Sequence, residues 1–178
     1  MNKPDVKRLV LSAMFVAIGF LLPFLTGQLA QLGSMLSPMH IPVLLCGFVC
    51  GWPWGLAVGA ITPLLRSLAL GMPPLFPVAV AMAFEMAAYG AIAGILYERL
   101  PKKPINVLVT LVIAMLLGRV VWGLAMYVLM GLSGGAFGFD RFLAGAFINA
   151  WPGIILHIVV IPPIVLALER AKFIPLKG

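Results

Sequence analysis

Long apolar runs separated by short polar islands dominate the chain, and the islands are basic. Lys3, Lys7 and Arg8 form the first, Arg99, Lys102 and Lys103 the second, and Arg170, Lys172 and Lys177 the third. Cytoplasmic loops of membrane proteins carry such an excess of Lys and Arg. The three islands are therefore expected on one side, with an even number of crossings between each pair. Leu9 to Tyr97 is 89 residues and Ile105 to Leu168 is 64. At about 20 apolar residues per crossing, these stretches cross four times and twice. The pattern predicts an all-α integral membrane protein, one domain over residues 1–178, with six transmembrane helices and both termini cytoplasmic. The helices are expected at 9–26, 39–50, 56–70, 78–97, 107–130 and 142–168.

Punctuation supports this division. Gly27, Gln28 and Gln31 end the first span, and Pro42 is tolerated in the first turn of the second. The turn Gly51-Trp52-Pro53-Trp54-Gly55 is expected to bring the chain back, its tryptophans suited to an interface. Gly71-Met72-Pro73-Pro74-Leu75-Phe76-Pro77 is not expected to be regular helix, because each proline removes a donor. A glycine-rich loop, Leu132 to Asp140, precedes the last span. The short second helix reaches only about 18 Å against a hydrocarbon core of about 30 Å. Three loops, 27–38, 71–77 and 131–141, fall on the outer side, and two of them are apolar and rich in Gly, Pro and Met.

Composition narrows the functional classes. Hydrophobic residues make up 63% and charged residues 10%, with a mean hydropathy of +1.15, whereas a globular chain is about 25% charged. The net charge of +7 gathers in the islands, so a nucleic-acid partner is not expected and the lipid bilayer is. Cys46 and Cys50 sit four apart without a neighbouring His or acid, which reads as buried thiols and no metal site. No phosphate-binding loop, zinc-protease motif or nucleophile elbow occurs. No enzymatic activity and no cofactor bound by this chain are expected.

Ionisable groups inside a span mark a pairing or a pathway. Counted from the outer helix ends at about 1.5 Å per residue, Arg66 lies about 6–8 Å in, Glu85 about 12 Å, Arg119 about 17 Å, Asn149 about 10 Å and His157 about 20 Å. Several of these share the outer half of the bilayer, which makes a candidate cavity. Asn149, Gly153 and His157 are expected to line one face at four-residue spacing. Glu85 shares a face with Tyr89, and Arg119 shares one with Trp122 and Met126. Tyr89, Trp122 and Trp151 are expected as aromatic walls, with His40 either interfacial or facing the same cavity. Each polar group has a second reading. Glu85 and Arg119 form a structural ion pair or bind ligand; Asn149 and His157 bond between helices or bind ligand; Arg66 snorkels outward or anchors an anion.

Pro38-Met39-His40-Ile41-Pro42-Val43-Leu44-Leu45, Gly47-Phe48, the Gly51 to Gly59 turn, Thr62-Pro63-Leu64-Leu65-Arg66-Ser67, the Gly71 to Pro77 loop, Phe84-Glu85 and Tyr89-Gly90 together resemble the substrate-binding S components of energy-coupling factor (ECF) vitamin transporters. The resemblance implies capture of a water-soluble vitamin under the outer loops, for ATP-driven uptake across the bacterial plasma membrane. It implies a membrane scaffold, the T component, and two nucleotide-binding ATPase subunits as partners, so that ATP is used by those subunits. It also implies that Ala13 and Ala17, small residues four apart on the first helix, contact the scaffold. With Arg66 and a second arginine at hand, a pantothenate-like anion ranks first among substrates, ahead of α-ribazole, a pyridoxine-like compound or a thiamin precursor. The alternative is a stand-alone secondary carrier using Glu85 as a proton site.

Overall fold

The structure, a computed structural model, describes residues 3–26 and 35–171. Gln28, Gln31 and the loop up to residue 34, together with Lys172 and Lys177, lie outside the described residues. No strand occurs among the described residues. The helices are α1 (Lys3–Leu21, followed by a tight turn Leu22–Thr26), α2 (His40–Cys50), α3 (Trp52–Leu70), α4 (Val80–Arg99), α5 (Pro104–Leu132), the short α6 (Phe139–Leu143) and α7 (Trp151–Arg170). Among the described residues, five helical stretches are long and apolar enough to cross a membrane, and His40–Cys50 is a shorter apolar helix.

Every residue of α2 is buried. It is surrounded by α1, α3, α4 and α7, so its shortness does not leave backbone ends in an apolar medium. α4 packs against α2, α3 and α5, while α7 packs on α5 and α2. Val43, Leu44 and Phe48 of α2 meet Met86 and Ala93 of α4, Leu111 and Ala114 of α5, and Ile161 and Val165 of α7 in one core. Outside, Leu68, Leu124, Tyr127 and Val159 are exposed. Apolar exteriors around buried polar groups suit hydrocarbon as solvent.

Local chemistry explains where the elements depart from the expected bounds. The turn expected over residues 51–55 contracts to Gly51, whose φ of 92° lies in a region that side chains with a Cβ disfavour. Trp52 then begins α3 directly, with Pro53 in its first turn, where a missing N–H costs nothing. The helix expected over 142–168 is interrupted. Residues 144–148 form a wide turn, 149–150 a turn with helical φ/ψ, and α7 starts at Trp151 with Pro152 in its first turn, all within one apolar stretch, Phe139–Arg170. Pro152 has no N–H to offer the preceding turn, so the regular helical hydrogen bonding lapses there.

The α3–α4 contact is unusually close. A Cβ placed on Gly90 would collide with the backbone of Gly55, and one on Gly59 would collide with the backbone of Met86. Small residues at such positions let helix backbones touch. At the basic end, the Tyr97 hydroxyl donates to Glu169, joining α4 to α7. Lys102 donates to the Tyr97 carbonyl and lies 3.3 Å above the centre of the Tyr97 ring.

Candidate functional site

Five side chains from four helices converge in the interior. Glu85 of α4 is 1% exposed. Its Oε1 accepts from Arg119 Nη1 of α5 at 3.0 Å and from the Tyr89 hydroxyl, one turn further along α4, at 2.9 Å. Its Oε2 lies 3.5 Å from His40 Nε2 of α2. The His40 ring stands edge-on to Tyr89, with centroids 5.2 Å apart, and 6.0 Å from the His157 ring of α7.

The stretch before α2 closes the cluster. Ser37 has a φ of 46°, unusual outside glycine, and its carbonyl accepts from His40 Nδ1 at 3.1 Å and His157 Nε2 at 3.3 Å. The backbone carbonyls of Met35 and Leu36 occupy the space a Cβ on Gly153 would need. The glycine one turn before His157 thus makes room for neighbouring backbone. The segment preceding α2 is thus held against α7 and against the start of α2.

Tyr89 owes its position to Gly118 on α5, whose missing Cβ is replaced by the Tyr89 ring. Gly118→Ala is expected to displace that ring from Glu85 and to cost about 1–3 kcal/mol of stability, the usual penalty for overpacking a buried site. Comparing thermal unfolding of wild type and variant in the same detergent checks it.

The structure therefore brings together Glu85, Tyr89, Arg119, His40 and His157, and places four other expected residues elsewhere. Arg66 Nη1 donates to the Phe20 carbonyl of α1 at 2.5 Å. Its guanidinium lies 5.8 Å from the Phe20 ring centre and 5.1 Å from that of Phe24, so it neither joins the cluster nor simply snorkels. Asn149 is exposed in the turn before α7. The interruption at Pro152 removes it from the face shared by Gly153 and His157. Trp151 is 58% exposed and is not among the residues that meet at Glu85. Trp122 stands one turn along α5 from Arg119, but its ring packs edge-on against Phe137 at 5.7 Å and over Gly145.

Beyond Trp122, Tyr127, Val128, Gly131, Leu132 and residues 135–138 line an open hollow of about 530 Å³. None of the five cluster residues lines it. Cys46 and Cys50 are buried free thiols, Cys46 facing Ser12 of α1 at 3.7 Å. Among the described residues no group of three or more His, Cys, Asp and Glu is placed to hold a metal ion.

Sequence reasoning missed Ser37, Gly118 and Thr110. Ser37 acts through a carbonyl that every residue carries, and Gly118 acts through absence of a side chain. Thr110, on α5, has a buried hydroxyl without a hydrogen-bond partner among the described residues.

Arg66→Met is expected to leave the Phe20 carbonyl without its charged donor, costing about 1.5–3 kcal/mol, while substrate affinity stays unchanged. Unfolding and binding measured on the same preparation separate the two effects.

These features describe a helical membrane-type bundle with a polar cluster sealed among four helices. The family model for "ECF transporter, substrate-specific component" matches residues 7–165, and the chain belongs to that family. It is thus a multi-pass, transport-associated binding subunit of the kind that works with a T component and ATPases on a small-molecule substrate. Neither the curated proteins nor the solved structures gave a match.

Proposed function

We propose that this chain captures a water-soluble vitamin or vitamin precursor at the outer face of a bacterial plasma membrane and hands it inward with its partner subunits. The carrying observation is the convergence of Glu85, Arg119, Tyr89, His40 and His157 from four helices beneath the segment at Ser37. Buried ionisable groups are costly in such a bundle and are retained where they act. In this reading the six apolar helices, α2 among them, cross the membrane with both termini cytoplasmic, and the basic end of α4, α5 and α7 faces the ATPase subunits. ATP is consumed by those two subunits. Ala13 and Ala17 are exposed on α1 beside Val10, Met14 and Leu21, an open small-residue face suited to close approach of the scaffold helix.

Among substrates, the anion ranked first from the sequence loses the support of Arg66, which is occupied at α1. The stand-alone carrier reading gains nothing from Glu85, because a carboxylate paired with Arg119 is not a free proton site. Gentle purification from membranes followed by native mass spectrometry tests the proposal. It should show one retained small molecule together with a scaffold and two ATPase chains. Uptake by this chain alone in liposomes under a pH gradient would contradict it.

A further inference from the structure

At the basic end of the bundle the acidic side chains are already engaged. Glu169 of α7 accepts from the Tyr97 hydroxyl of α4. Lys102 lies over the Tyr97 ring and donates to the Tyr97 carbonyl, and both Glu169 and Glu98 are near enough to act on its charge. Lys102, Glu98 and Glu169 thus compensate one another. Two of their chain neighbours are left over. Lys103, immediately before α5, and Arg170, the last residue of α7, are exposed. Among the described residues neither side chain has a hydrogen bond or ion pair. The contact of Lys102 and Glu169 with Tyr97 brings these two chain positions to one flank of the bundle.

Each cation heads an apolar stripe. On α7, Ile155, Val159, Pro163 and Ala167 are exposed at four-residue spacing. Arg170 follows three residues on, so all five share one face. On α5, Ile105, Val109, Leu116 and Val120 are exposed along the helix that Lys103 precedes. α5 and α7 pack against each other, whereas α1, the helix expected to meet the scaffold, packs on α2 and α3. The flank of α5 and α7 is therefore clear of that contact. A free anion would use the two cations alone and gain nothing from the apolar faces running away from them. A molecule with a phosphate head and acyl chains uses both.

We propose that Lys103 and Arg170 bind the phosphate of an anionic phospholipid of the inner leaflet, its acyl chains laid along the exposed faces of α5 and α7. Basic residues between membrane helices on the cytoplasmic side attract anionic headgroups, by about fivefold in affinity for each Lys or Arg near the surface. Arg170 stands about 20 Å along α7 from His157, so this site is separate from the cluster at Glu85. The inference rests on the reading that this end of the bundle faces the cytoplasm.

Native mass spectrometry of the full chain, delipidated in detergent, tests it by titration with phosphatidylglycerol and phosphatidylcholine of identical acyl chains. Phosphatidylglycerol is expected to be retained at least tenfold more tightly. Lys103→Gln and Arg170→Gln combined in one chain are expected to remove that preference. Arg141→Gln, at an exposed arginine beyond the other end of α5, is expected to keep it. Equal retention of the two lipids by wild type overturns the proposal, as does an undiminished preference in the double variant. Displacement of the lipid by inorganic phosphate, at an ionic strength matched with chloride, marks a free-anion site and overturns it as well. A double variant that keeps the preference but no longer co-purifies with ATPase chains assigns the two cations to an acidic protein surface instead. Selectivity in detergent does not depend on which leaflet this end faces, and the small molecule held at Glu85 is expected to bind wild type and double variant equally. The capture reading and this one therefore fail separately.

Discussion

Glu85→Leu is expected to destabilise the protein by about 3–5 kcal/mol, the cost of leaving one member of a buried ion pair uncompensated. Arg119 is 8% exposed and meets Glu85 at 3.0 Å, so no nearby solvent can replace the lost carboxylate. Tyr89 also loses the acceptor for its hydroxyl. Adding Arg119→Met to the same chain is expected to recover most of the loss, because an apolar pair in this position is close to neutral relative to the ion pair. Thermal unfolding of the two single variants and the double variant forms a cycle. A double variant as unstable as the sum of the singles would show that the two groups do not act as a pair.

Gly90→Val is expected to have the largest effect on assembly of the bundle. A Cβ at this position runs into the backbone of Gly55 on α3, and backbone cannot rotate away as a side chain can. α4 would have to separate from α3 along its length, opening the core around Met86, Tyr89 and Ala93. Overpacking of flexible neighbours costs about 1–3 kcal/mol, and a backbone collision exceeds that range. The expected result is loss of a monodisperse peak on size exclusion. Gly131→Ala, where a Cβ would meet nothing, is expected to leave the peak unchanged.

Hydropathy and length along the chain were sufficient for the all-helical fold and the short α2. Hydropathy marks where a helix is apolar and not where it starts. α1 thus extends back to Lys3 and α3 to Trp52, through residues that are polar or suited to an interface yet compatible with helix. The irregular turn at Asn149 was legible in Pro152, but it was overridden by the unbroken apolar pattern around it. Its neglect put Asn149 on a face it does not share.

For the site, depth along each helix was a good guide where helices are regular. Glu85 and Arg119, expected some 5 Å apart in depth, meet directly. Depth carries no information about direction around the axis relative to neighbours. Arg66 faces α1, where the Phe20 carbonyl and two aromatic rings receive it. Trp151 likewise does not join the residues at Glu85 and is exposed. His40 became part of the cluster because α2 is wrapped on every side, a consequence of tertiary packing that no local pattern encodes.

All of this turns on the cluster at Glu85 being where the small molecule is held. The most direct measurement is the affinity of the molecule retained through purification for wild type, His40→Ala and Arg141→Ala, each titrated after the bound molecule has been removed. The account predicts at least a tenfold loss in His40→Ala and no change in Arg141→Ala, whose side chain is exposed on the short α6 and donates to the Ala136 carbonyl. Equal affinities in wild type and His40→Ala, or a loss confined to Arg141→Ala, would place the molecule elsewhere and contradict it.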